Sequence, residues 1–165
     1  KNAKIIVAYL AKLLMEKDPK NADFYKQNAD NYIKQLDEVD AEFRQIVNTG
    51  KRKVIVFGDR FPLRYFADYY GLQYYAAFPG CSTETEASAA TIKFLIDKVR
   101  ADRIPVVFYI EFSNQRIAKA IAESTKAKTL LFQSAHNVTK AELTAGITYV
   151  ELMRQNAKNL REALN

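Results

Sequence analysis

The sequence predicts an α/β fold: a four-stranded parallel sheet with helices on both faces, preceded by one long helix. Three observations carry that expectation. Over residues 21–49, Tyr25, Ala29, Tyr32, Leu36, Val39, Phe43 and Val47 recur at four- and three-residue steps, the stripe of an uninterrupted helix. After Gly50 the period changes, and the continuous apolar run Val54-Ile55-Val56-Phe57 has the pattern of a strand buried on both faces. Strand and helix then alternate four times with short connections, an order that builds parallel pairing through right-handed crossovers.

Taken in order, residues 3–16 read as a first helix, with Ile6, Tyr9, Leu10, Leu13 and Leu14 on one side. Asp18-Pro19 breaks it, because proline cannot continue a helix. The long helix comes next, and Gly50 is expected to end it in a left-handed conformation. Nearly thirty helical residues make a rod of roughly 40 Å, against roughly 34 Å for a globule built from the remainder of the chain. A helix that outruns its own domain commonly braces a neighbour, so the chain reads as a fragment. Three segments result: 1–20 a short helix, 21–50 the long helix, and 51–165 the α/β lobe.

Within that lobe, residues 61–70 return to helical spacing and stop at Gly71. A second strand is expected at 73–77, leading into the turn-rich loop 78–86. Residues 88–101 form a helix carrying Ile92, Leu95, Ile96 and Val99. Residues 104–110 are the strongest strand, β-branched and aromatic, with Pro105 tolerable at its start. Ser113 or Asn114 is expected to cap the next helix, which buries Ile117 and Ile121. A fourth strand spans 129–132. Thr139-Lys140-Ala141-Glu142 is a capping box, expected to open one long helix with Leu143, Ile147, Val150, Met153, Ala157, Leu160 and Leu164 on its apolar side.

Composition narrows the function classes. A length of 165 residues, 48% hydrophobic and 27% charged, suits one globular domain plus helical additions. No apolar run approaches the roughly 18 residues of a membrane span. The net charge of +6 raises nucleic acid as a partner, but the basic residues are spread over every helix among 19 acids. A solvated cationic surface explains that distribution better. Cys81 is the single cysteine, so an internal disulfide is excluded, and its simplest role is a small buried thiol.

Ligands of open parallel sheets bind beyond the carboxyl ends of the strands. Those ends supply Asp59, then Glu84 and Glu86, then Glu111, then His136. Each has a plain structural explanation as a cap, a solvated acid or a satisfied polar group. No Gly-x-Gly-x-x-Gly or Walker lysine follows the first strand, and no Gly-x-Ser-x-Gly elbow occurs, which argues against nucleotide binding and serine hydrolysis. Asp59, Glu111 and His136 have the composition of an acid–base group, and equally of half a metal site; metal binding is slightly favoured.

Several stretches resemble the zinc- and manganese-binding solute receptors of ABC importers. They are Lys53-Val54-Ile55-Val56-Phe57-Gly58-Asp59 followed by Arg64-Tyr65-Phe66-Ala67-Asp68-Tyr69-Tyr70-Gly71-Leu72, then Glu84-Thr85-Glu86-Ala87-Ser88, then Ile104-Pro105-Val106-Val107-Phe108-Tyr109-Ile110-Glu111. The last helix adds Tyr149, Met153, Asn156 and Leu160. The resemblance implies two α/β lobes joined by a rigid long helix, with a metal clamped between them by four side chains. It implies that this chain is the carboxy-terminal lobe with the connecting helix, and that two ligands, normally histidines, belong to a missing amino-terminal lobe.

Of the other two, one follows the first strand, usually His or Glu, and one follows the fourth, usually Asp. Here Asp59 and His136 stand there, as if the ligand types had exchanged places. Glu111 matches a carboxylate near the site and is expected to orient a ligand, or to replace Asp59 as the ligand. The set favours zinc over manganese and is incomplete in this chain. The resemblance further implies an ABC permease as partner, no nucleic acid, membrane contact only through an anchor outside this chain, and an extracytoplasmic place as a surface lipoprotein or periplasmic protein. It implies no enzymatic turnover. Two other readings stay open: a metal-assisted or acid–base hydrolase using Asp59, Glu111 and His136, and an interaction module without a small ligand.

Overall fold

The computed structural model describes residues 2–78, 80 and 87–165. Cys81, Glu84 and Glu86 lie outside the described residues. The chain falls into two compact units, Lys1–Glu42 and Phe43–Asn165.

The first unit holds helix α1 (Asn2–Lys17), a 3-10 turn (Pro19–Asn21) and most of α2 (Ala22–Thr49). Asp18 stops α1 as expected. Its carboxylate accepts Asn21 Nδ2 at 2.7 Å and Tyr25 Oη at 2.9 Å, which draws its pKa below the usual carboxylate range and fixes the corner. Lys4 of α1 pairs with Asp37 of α2. Lys26 and Asp30, one turn apart on α2, pair at 2.7 Å.

The second unit is the α/β body. Strands β1 (Val54–Arg60), β2 (Gln73–Phe78), β3 (Val106–Tyr109) and β4 (Lys128–Leu131) form one parallel sheet in the order β2-β1-β3-β4. Between them run α3 (Arg64–Tyr70), α4 (Ala89–Ala101) and α5 (Arg116–Thr125), and after β4 come α6 (Lys140–Ala145) and α7 (Tyr149–Leu164). Four parallel strands with helices around them match the predicted fold class.

The two central strands are apolar on both faces because both are covered. On one face Val56 and Val107 pack with Leu95 and Val99 of α4 and with Ala118 and Ile121 of α5. On the other, Phe57 meets Phe108 and Phe132 with ring centres 5.3 and 5.9 Å apart. Phe132 also meets Phe66 of α3, which stands edge-on to Phe43 of α2.

Four expectations require correction. Gly50 is not left-handed; it is glycine because a Cβ there would sit 2.8 Å from the Leu164 Cβ. The first strand runs three residues beyond Phe57, through Gly58 and Asp59 to Arg60, with an irregularity against β2. Neither Ser113 nor Asn114 is the N-cap of α5: Gln115 holds that position at φ 59°. Instead the two side chains brace the turn, accepting the Gln115 and Arg116 backbone N–H groups at 3.0 Å each.

The expected single terminal helix is two. Thr139 and Glu142 form their capping box, but α6 ends at left-handed Gly146 (φ 72°), and Thr148 with Glu151 caps a new helix. Leu143 is consequently exposed instead of buried.

Candidate functional site

The sheet order places its switch point between β1 and β3, where connections leave toward opposite sides and a crevice opens beyond the strand ends. A cavity of about 560 Å³ lies here, with Gly58, Asp59 and Arg60 of β1 along one side and Ser113, Asn114 and Arg116 along another. Gly58 permits that arrangement, since any Cβ on it would run into the backbone of Ala118 in α5.

Asp59 is buried, with 6% of its surface exposed. One carboxylate oxygen accepts the Arg60 N–H at 2.8 Å, and the other accepts the Ile110 N–H at 3.5 Å across to β3. Asp59 therefore ties the ends of the two central strands while presenting itself at the crevice. Arg60 lies over the Phe78 ring at 5.4 Å, stacked against the apolar end of β2.

Glu111 follows β3 and belongs to a second hydrogen-bonded group. Its carboxylate accepts the Ser134 backbone N–H at 2.8 Å and the Ser134 hydroxyl. Ser134 Oγ also accepts the His136 backbone N–H at 3.3 Å. Partial burial pushes the Glu111 carboxyl up, but the bonds from Ser134 and the nearby His136 amide outweigh it and hold the group below its ordinary value. The loop carrying His136 is thus fastened to the end of β3. His136 itself is exposed, and the intervening Ala135 adopts a left-handed φ of 60°.

The structure brings Glu111 to the His136 loop and Asp59 to the crevice; the crevice lining includes neither Glu111 nor His136. Among the described residues no hydrogen bond joins the His136 ring to Asp59 or Glu111, and no three His, Cys, Asp or Glu side chains converge as a metal site.

A supporting layer was not read from the residue pattern. Asn156 of α7 accepts the Gln133 N–H and donates to the Gln133 carbonyl, both at 2.8 Å, completing the pairing that a neighbouring strand would supply. Asn159 donates to the Leu131 carbonyl at 2.7 Å. The available signal was two asparagines inside the otherwise apolar face of the last helix.

Comparison with known proteins bears on the family and the fold. The family described as "ZnuA: Zinc-uptake complex component A periplasmic" matches residues 1–163. The high-affinity zinc uptake system protein ZnuA of Bacillus subtilis is 27% identical over 151 residues, covering 92% of this chain and 47% of that protein. The manganese ABC transporter substrate-binding lipoprotein PsaA of Streptococcus pneumoniae is 30% identical over 166 residues, covering 99% of this chain and 53% of that protein. The chain thus spans about half the length of the curated relatives it matches. Among solved structures, the metal-dependent lipoprotein YcdH of Bacillus subtilis superposes with a TM-score of 0.83 at 25% identity, over 99% of this chain and 61% of that one.

The Zn(II)-bound ZnuA-like domain of Streptococcus pneumoniae AdcA superposes at 0.73 and 25% identity, over 93% of this chain and 57% of that domain. The two curated relatives are named for zinc uptake and manganese ABC transport, and the two structures for metal dependence and bound zinc, so the hydrolase alternative gains no support from them. By fold, coverage and sequence, this chain belongs to the ZnuA family of metal solute-binding proteins of ABC transporters.

Proposed function

We propose that this chain is the carboxy-terminal part of a receptor that captures a divalent transition metal and delivers it to the permease of an ABC importer. The observation that carries the reading is the pair of fastened strand ends: Asp59 tied to β3 beside the crevice, and Glu111 securing the loop that presents His136. Fixed donors at strand tips are what a capture site needs, since preorganisation reduces the entropy lost on binding.

In this reading Asp59 and His136 are two ligands, and two more come from an amino-terminal lobe. Glu111 orients the His136 loop through its two bonds from Ser134. It becomes the ligand only if the bonds from Asp59 to the backbone keep that carboxylate from the metal. One imidazole and one carboxylate, joined by further imidazoles, form a tetrahedral set that suits zinc. Manganese is the second reading, favoured by the similarity to the manganese lipoprotein PsaA. The protein works outside the cytoplasm, as a surface lipoprotein or periplasmic protein anchored through a segment outside this chain. It performs no turnover. Among the described residues no helix is long and apolar enough to cross a membrane.

Metal content and competition titration of the intact polypeptide test this. One tightly bound zinc per molecule, with weaker manganese, is expected. Absence of any stoichiometric transition metal would overturn the reading.

A further inference from the structure

At the opposite end of the sheet, where β3 and β4 begin, a second pocket of about 330 Å³ opens between the last turn of α4 and the end of α5. Its floor is apolar: Val99 and Ile104 are 1% and 3% exposed, and Pro105 adjoins them. Its rim is basic, formed by Arg100, Arg103 and Lys126.

The nearby acid is already neutralised. Asp102 pairs with Lys98 at 2.9 Å, and Arg100 donates to the Ser124 carbonyl at 2.7 Å. Among the described residues no carboxylate pairs with Arg100, Arg103 or Lys126.

Backbone conformation at the rim is unusual as well. Arg103 (φ 50°) and Lys126 (φ 65°) both adopt the left-handed conformation as the chain leaves α4 and α5. The same exits from α3 and α6 use Gly71 and Gly146. At this pocket the chain accepts strained, non-glycine residues, and both carry a positive charge at its mouth. Three exposed cations around an apolar floor repel a metal ion and attract an anion, and they outweigh the partial negative charge of the α4 and α5 carboxyl ends that face the same pocket. The volume is about ten times the ~30 Å³ share of one water, room for a tetrahedral oxyanion with part of its hydration.

We propose that this pocket is an anion site that takes a phosphate group, with the Arg100 and Arg103 guanidinium groups donating to its oxygens and the Lys126 ammonium supplying a point charge. The phosphate arrives either as the free ion or as the headgroup of an anionic lipid; the chemistry of capture is the same. The site is independent of the metal reading, since it lies at the other ends of the strands.

The test is an amide-resolved NMR titration of the protein with inorganic phosphate, against chloride at equal ionic strength. It is paired with sedimentation on vesicles of phosphatidylcholine with and without phosphatidylglycerol. The double variant Arg103→Gly/Lys126→Gly removes two charges while placing glycine where the backbone favours it, so folding is preserved. Saturable shifts at residues 100–105 and 125–127, weakened roughly tenfold or more in the variant, identify the free ion. Binding only to the anionic vesicles, lost in the variant, identifies the headgroup. No response to either probe, or equal binding by wild type and variant, overturns the proposal.

Discussion

The Glu111 carboxylate closes on Ser134 from two sides, accepting its backbone N–H at 2.8 Å and its hydroxyl. One acid at the end of β3 thereby sets the path of the loop that follows β4. Glu111→Gln replaces one acceptor oxygen with a donor that cannot receive either group. Metal affinity of the intact receptor is expected to fall by about 10- to 100-fold, the range for residues that orient a ligand, with the protein still folded. Unchanged affinity would remove Glu111 from the site.

The same bonds carry a pH dependence. The pKa of Glu111 is lowered in the folded state, so its stabilising contribution is present above the ordinary glutamate value of about 4.3 and is lost as pH falls through the folded value. The difference in Tm between wild type and Glu111→Gln is expected to be largest near neutrality and to shrink in acid below about pH 4. A constant difference across that range would assign the effect to packing.

His136→Ala and Asp59→Asn separate the two proposed ligands. Removing the exposed His136 should cost binding far more than folding, with metal affinity down by more than the ~100-fold limit of an orienting residue. Asp59→Asn should cost both, because Asp59 also ties β1 to β3 through the Ile110 N–H. Isothermal titration beside thermal unfolding reads the two quantities separately.

Asn156→Ala strips partners from the buried N–H and carbonyl of Gln133. Two unsatisfied backbone groups predict a loss of about 3 kcal/mol or more in urea unfolding. A loss under about 1 kcal/mol would mean that other partners, such as water, replace the side chain.

Gly58→Ala drives a methyl group into the backbone of Ala118. β1 and α5 must separate, at an expected cost of about 2 kcal/mol or more. Because Gly58 and Asp59 share the crevice, metal binding by the intact receptor is expected to weaken as well.

The class of fold was legible because burial on both faces writes itself as unbroken apolar runs, as at Val54–Phe57. The capping box at Thr139 was legible because its chemistry is local. The helix break at Gly146 was equally local, with Gly146 and the Thr148–Glu151 box in plain view, but the apolar spacing from Leu143 to Val150 ran across it and hid it. What the residue pattern did not contain was pairing between distant segments. Asp59 and Glu111 were legible as acids at strand ends, a cap and an acceptor of backbone N–H groups, but their partners, Ile110 and Ser134, were not. Gly50 does follow the last residue of α2, but its constraint is the close approach of Leu164, far along the chain, and not a left-handed turn.

Anomalous diffraction at the zinc edge, from crystals of the intact zinc-loaded receptor, locates the ion directly. A single peak about 2 Å from both an imidazole nitrogen of His136 and a carboxylate oxygen of Asp59 is expected. A fully occupied zinc site coordinated by neither residue would contradict the assignment of the strand tips as half of the metal site.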